Sequence, residues 1–200
     1  MNTISYVYGN NLYLNITNRC MMLCPYCIKR KRNNKFMGND LKLEAEPSPK
    51  EVITAIKDPK KYDEVVFCGY GDCLINIEFV KRISRWIKDN GGKVRINTSG
   101  LANRYYGKNI LPELKGLVDV ISISLNGSNP KEHNEINKPM FKEESFGEVV
   151  KFAQEAKNYI PEVVITAVEF LGFDTSKVEK IAKEIGVQFR IRNHLGNKEN

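Results

Sequence analysis

The sequence predicts an α/β protein built on a mainly parallel sheet, and three observations carry that expectation. Six short β-branched runs alternate with amphipathic helical patterns, the helices open on readable capping signals, and 200 residues that are 42% hydrophobic are enough for one sizeable core. A chain of this length removes roughly 70% of its unfolded surface from water, so residues 1–200 are expected to form a single domain.

The expected strands are residues 12–17, 64–68, 93–98, 118–125, 163–169 and 187–192. Between them, Ser48-Pro49-Lys50-Glu51 offers a capping hydroxyl, a proline at the first helical position and a glutamate able to reach back, with Val52, Ile53 and Ile56 on one face. Asn76 precedes Phe79, Val80, Ile83 and Ile87, and Gly91-Gly92 ends that pattern. Ser145 with Glu148, and Ser176 with Glu179, repeat the capping box; the last helix stops at Gly186. Residues 101–116 are expected to be partly helical, because Gly107 and Pro112 interrupt them. Residues 126–144 lack periodicity and are expected to be a long functional loop.

Strand and helix alternating six times predicts parallel strands joined by right-handed crossovers. A complete eight-unit barrel needs about 250 residues, so the expected architecture is an open three-quarter barrel or a doubly wound sheet. In both, ligands gather at the carboxyl ends of the strands. Those ends carry a cysteine-rich loop, then Gly69, Gly71, Asp72 and Cys73, then Ser99-Gly100, Asn126, Glu169, and Arg192 with His194.

Residues 1–13 hold neither a basic leader nor an apolar stretch of signal-peptide length, and no window approaches the ~18 apolar residues of a membrane span. The expected compartment is therefore the cytoplasm, with no membrane partner. There, five cysteines argue against a disulfide framework and for metal or redox chemistry. The net charge is +7, and Arg19, Lys29, Arg30, Lys31, Arg32 and Lys35 lie beside the cysteine loop with no acid among residues 19–35. Such a run is a solvated face, an electrostatic support for thiolates, or a contact for phosphate of nucleic acid or nucleotide.

Cys20, Cys24 and Cys27 are spaced C-x3-C-x2-C directly after the first strand. Tetrahedral zinc normally takes two separated ligand pairs, whereas this chain offers one triplet, with His133 and His194 far downstream. Three thiolates on one loop can instead hold three irons of a [4Fe-4S] cubane and leave the fourth iron open. A structural zinc with a distant fourth ligand, or three unligated thiols, are the alternatives. Cys68 and Cys73 either complete a site or are small buried hydrophobes.

The triplet, with Tyr26 just before its last cysteine, resembles the signature of the radical S-adenosylmethionine (SAM) enzymes. Residues 9–18 (GNNLYLNITN), 65–72 (VVFCGYGD), 95–100 (RINTSG), 109–114 (NILPEL) and 121–126 (ISISLN) resemble the small subgroup found beside TatD-type nucleases. The resemblance implies a six-stranded parallel partial (βα)6 barrel, with SAM chelating the open iron of a cluster bound by Cys20, Cys24 and Cys27. It implies that Tyr26 lies near the adenine, and that Gly69, Gly71 and Asp72 stand where the family's G-G-E-P motif meets the SAM amino group. Ser122, Ser124 and Asn126 match positions that reach the ribose or carboxylate, and Glu169 and Arg192 are further cofactor candidates. Asp72-Cys73 departs from the usual Glu-Pro: the carboxylate has a shorter reach and the turn loses its proline.

The expected activity is reductive cleavage of SAM to a 5′-deoxyadenosyl radical that abstracts hydrogen from an unidentified substrate. His133 and Cys73 are candidates for catalytic roles. Reduced ferredoxin or flavodoxin is the electron donor the family suggests, and RNA is one substrate class that the basic residues admit. The alternatives are a noncatalytic metal- or nucleic-acid-binding module, or a degenerate member that binds SAM without turnover.

Overall fold

The computed structural model describes residues 3–31, 33–169 and 174–192. In chain order the elements are β1 (Ser5–Tyr8), β2 (Asn11–Leu14), α1 (Ile28–Lys31), β3 (Lys35–Phe36), β4 (Asn39–Asp40), α2 (Pro49–Ile56), β5 (Val65–Phe67) and α3 (Ile77–Asp89). There follow β6 (Val94–Thr98), α4 (Ala102–Tyr106), β7 (Val120–Ser124), α5 (Pro130–Asn137), α6 (Glu144–Ala156), β8 (Glu162–Val168), α7 (Thr175–Ile185) and β9 (Gln188–Arg192).

The main sheet has the order β1-β2-β5-β6-β7-β8-β9, and β3-β4 is a separate small hairpin. From β2 to β9 every pairing is parallel and every neighbour is the next sheet strand in sequence. Right-handed crossovers between consecutive neighbours put α2, α3, α6 and α7 on one face, where they share a hydrophobic core with the strands. The order never reverses, so the doubly wound alternative is excluded. The sheet is open, with β1 and β9 at its edges.

The expectation of six strands is corrected to seven. β1 pairs antiparallel with β2 across the tight Gly9-Asn10 turn, where Gly9 takes φ 59°. Paired Tyr6 and Tyr13 stack at 5.3 Å, which holds this short edge strand in register.

The helix starts divide. Ser48 and Glu51 form the expected box: the Glu51 N–H donates to Ser48 Oγ and the Ser48 N–H to Glu51 Oε2 at 2.7 Å. Asn76 caps α3, Gly186 ends α7 in the left-handed conformation, and residues 101–116 contain α4 and a short 3-10 turn. Ser145, however, is buried inside α6 and caps nothing, because Glu143 ahead of it is already helical and a cap needs extended backbone. Asp174, not Ser176, caps α7, accepting from the Ser176 N–H at 3.0 Å.

The expected loop at 126–144 contains α5, capped by Asn129. Its buried positions are His133 and Asn137, one turn apart. A polar inward stripe has no hydrophobic period, which is why the pattern of the sequence does not show this helix.

Candidate metal centre

Alternate residues of the strands divide by chemistry. Leu14, Phe67, Ile96, Ile121 and Val163 join Val52, Ile83, Val149, Phe152 and Val178 of the helices in the hydrophobic core. The opposite face carries Tyr13, Arg95, Asn97, Ser122, Ser124, Thr166 and Arg192. On that face Asn97 Oδ1, Ser122 Oγ and Arg192 Nε are buried without a partner, and Asn97 and Ser122 are register neighbours. Ser84 and Ser145, also unpartnered, sit singly in helices. Several orphaned polar atoms on one face mark a place where a ligand or water completes the hydrogen bonding. At the floor of this face the Arg95 guanidinium lies 2.9 Å from Glu64 Oε2 and 3.4 Å from Tyr13 Oη.

The cysteine loop follows β2 at the carboxyl end of the parallel strands. One brace comes from the loop after β5. Gly71 lets that loop press against the start of the cysteine segment: a Cβ there would stand 2.2 Å from the Arg19 carbonyl oxygen. A Cβ on Gly69 would stand 2.3 Å from Asn15 Oδ1. The Asp72 N–H donates to the Arg19 carbonyl at 2.9 Å and the Tyr70 N–H to Asn15 Oδ1 at 2.9 Å.

A second brace comes from α5. Asn137 Oδ1 accepts from Tyr26 Oη at 2.6 Å and from Asn126 Nδ2 at 3.3 Å, and lies 3.9 Å from Cys24 Sγ. Asn137 Nδ2 donates to the Asn126 carbonyl at 2.6 Å and the His133 carbonyl at 2.9 Å, and lies 3.1 Å from His133 Nδ1. Asn126 Nδ2 donates to Tyr26 Oη at 2.6 Å, while its Oδ1 accepts from the Val168 N–H at 2.8 Å. The aromatic residue of the triplet is thus anchored to β7, α5 and β8 at once.

Cys20, Cys24 and Cys27 are free, half-buried thiols. Burial, with the Asp72 carboxylate second, pushes Cys20 up to about 12, offset in part by the Met22 N–H and Lys29. Burial also raises Cys24. Such thiols become thiolates only with a compensating cation, which a metal supplies. No three His, Cys, Asp or Glu side chains among the described residues converge on one point as a single zinc ion requires. A cubane spreads its three thiolates over three irons, so its ligands would not need to converge on one point.

The other candidates fall in different places. Ser124 Oγ accepts from Arg192 Nη2 at 2.9 Å, facing the polar side of the sheet. Glu169 is exposed, and its N–H donates to the Arg192 carbonyl. Asp72 is buried, and its carboxylate is consumed within the chain: it accepts from the Ser99 N–H at 2.8 Å, Ser99 Oγ at 2.6 Å, Thr98 Oγ1 at 3.0 Å and the Leu74 N–H at 3.1 Å. Cys73 is packed into the hydrophobic core, which keeps it a neutral thiol, and burial also raises Cys68, offset in part by Asn97 of the polar face. His133, expected on a loop, is buried on α5 against Phe146, and desolvation pushes it down to about 4. His194 lies outside the described residues. Asn137 and Asn97 did not emerge from the sequence; Asn129-Pro130, a cap followed by a helix-starting proline, was the available signal for α5. A surface cleft of about 260 Å3 between α4 and α6 lies on the helical layer, away from the cysteines.

A mostly parallel α/β sheet that delivers three free thiols and a set of orphaned polar groups to the carboxyl ends of its strands is a metallocofactor-binding core. The chain belongs to the radical SAM superfamily, whose family model matches residues 14–185. The members of that family are enzymes, and the family implies a [4Fe-4S] cluster and SAM. Two uncharacterized proteins of Methanocaldococcus jannaschii are 25% identical over 86% of this chain and 28% identical over 64% of it. The chain spans 52% and 42% of their lengths, about half of each. Streptococcus suis SuiB bound to S-adenosylmethionine has the same fold, with a TM-score of 0.66 at 14% identity over 96% of this chain and 41% of SuiB. HydG, a maturase of the [FeFe]-hydrogenase, gives 0.62 at 16% identity over 94% of this chain and 44% of HydG. Among the described residues no helix is long and apolar enough to cross a membrane.

Proposed function

We propose that this chain is the core of a radical SAM enzyme in which Cys20, Cys24 and Cys27 hold a [4Fe-4S] cluster and SAM lies against the polar face of the sheet. One observation carries the reading: Asn97 Oδ1, Ser122 Oγ and Arg192 Nε are unpartnered on one face of the sheet, and Tyr26 of the cysteine loop lies within electrostatic reach of Arg192, Cys24 and Cys27. When bound, the cluster and SAM supply a 5′-deoxyadenosyl radical for hydrogen abstraction from substrate.

The rest of the work belongs to the chain. Tyr26, held by Asn126 and Asn137, fixes the wall beside the adenine. Gly69 and Gly71, closely packed on Asn15 and Arg19, hold the loop that is proposed to meet the SAM amino group, and Asp72 acts through Ser99 and Thr98 as a positioning residue that shapes that loop. Ser122, Ser124 and Arg192 offer the ribose and carboxylate their hydrogen bonds, with Glu169 at the rim. The half-buried polar face limits water at the reacting atoms. The six parallel strands are proposed to curl as a partial barrel around this space, in a cytoplasmic protein of the TatD-associated subgroup. The substrate is unidentified, with RNA the class the basic loop admits and reduced ferredoxin or flavodoxin the proposed donor.

Anaerobically reconstituted protein, given SAM and dithionite, is expected to release 5′-deoxyadenosine, and the Cys20→Ala/Cys24→Ala/Cys27→Ala variant to lose its iron and all release. A fully loaded cluster that binds SAM but releases nothing selects the second reading, a degenerate member, favoured by the engaged Asp72 carboxylate. One zinc per chain with no brown colour selects a noncatalytic metal- or nucleic-acid-binding module.

A further inference from the structure

We infer that Leu23, Met140, Lys138 and Arg30 form a docking surface beside the cysteine loop for an acidic, low-potential electron-carrier protein. The inference rests on the proposed function, since reductive cleavage of SAM consumes one electron that must come from outside. The carrier is oxidised by one electron and the cluster is reduced by one. That electron breaks the sulfonium C–S bond, leaving methionine and the 5′-deoxyadenosyl radical.

Leu23 and Met140 expose 61% and 58% of their surface. Exposed apolar residues scattered singly need no explanation, but these two stand on segments whose backbones are bridged. Met22 and Pro139 form an antiparallel bridge, the Leu23 N–H donates to the carbonyls of Asn137 at 3.1 Å and Lys138 at 3.2 Å, and the Met140 N–H donates to the Met21 carbonyl at 2.9 Å. Leu23 directly precedes Cys24, so the exposed pair lies beside one of the proposed cluster ligands.

The rim of this pair is cationic. Arg30 Nη1 donates to the Leu23 carbonyl at 2.8 Å, which fixes its guanidinium beside the apolar pair. Lys138 is exposed at the C-cap of α5, and Lys29 lies over the Tyr70 ring with its Nζ on the Asn18 carbonyl. Among the described residues Lys29, Arg30, Lys138 and Lys142 have no acidic partner, while nearby Glu144 turns away to Arg104. An apolar centre with an uncompensated positive rim complements a carrier whose own cofactor is ringed by carboxylates. Charge of this kind steers encounter and is screened by salt.

The test compares cluster-loaded wild type, Lys138→Glu and Leu23→Gln. Each is titrated with an acidic bacterial ferredoxin at low and at physiological salt, and 5′-deoxyadenosine release is driven in parallel by ferredoxin, by dithionite and by reduced methyl viologen. Wild-type affinity should weaken with salt, Lys138→Glu should lower low-salt affinity about tenfold, and Leu23→Gln about threefold. Release driven by either small reductant should stay within about twofold of wild type, the two reductants having opposite charges and no need of a docking site. Equal ferredoxin affinity in all three proteins overturns the inference. So does a loss of dithionite-driven release that matches the ferredoxin-driven loss, or a change of oligomeric state in Leu23→Gln with ferredoxin affinity unchanged. If wild type releases nothing with dithionite, the proposed function fails, and the affinity comparison still decides the surface.

Discussion

The two faces of the main sheet are made from alternate residues of the same strands, yet they are opposite in kind. Ile96 and Asn97 are adjacent in β6: the first is fully buried in the helix-covered core, the second holds an oxygen with no partner on the open face. One face is complete within the described residues and the other is not. A completed face contributes to stability, whereas an incomplete one carries a standing cost that a ligand can relieve.

Truncation on the complete side gives the largest expected effect. Ile96→Ala should destabilise the fold by about 2–5 kcal/mol, read as a lower urea midpoint, and should leave SAM affinity of the remaining folded protein unchanged. A loss of SAM affinity from this variant would show that the two faces are coupled.

The buried His133, on the α5 brace between core and site, comes next. Its folded value is pushed down to about 4 from 6.5, so between those values the unfolded chain binds the extra proton. Stability is therefore fully present above pH 6.5, declines as pH falls through that window, and has lost about 3 kcal/mol below pH 4. The slope of unfolding free energy against pH should flatten in His133→Gln; an unchanged slope would remove His133 from the account.

Ser122→Ala tests the incomplete face and should have the smallest effect on stability. Deleting a buried hydroxyl that has no partner changes stability by less than about 1 kcal/mol, in either direction, while SAM affinity should fall about tenfold. A stability loss equal to that of Ile96→Ala, with affinity intact, would place Ser122 in the packing.

How far the sequence reads correctly follows the same division. Apolar periodicity disclosed α2, α3, α6, α7 and the six parallel strands, because burying an apolar stripe demands a regular spacing. It was silent on α5, whose inward residues are His133 and Asn137, and it overlooked β1, a four-residue edge strand held by tyrosine stacking. The cysteine spacing pointed to a proposed centre, and the structure shows Cys20, Cys24 and Cys27 as free, half-buried thiols after β2. Asp72 is the instructive case: its position suggested a ligand contact, and its carboxylate proves to be spent on Ser99, Thr98 and Leu74.

Local order, then, was determined by the sequence alone: which stretches bury one side, where helices begin on Ser48 or Asn76, and which thiols share one loop. The tertiary structure decided what stands opposite what. Asn137 reaching Tyr26 across 111 positions, and Asn97 beside Ser122 on neighbouring strands, depend on sheet register and crossover hand. Side-chain hydrogen bonds between distant segments leave no periodic trace along the chain, because their geometry exists only once the strands are aligned.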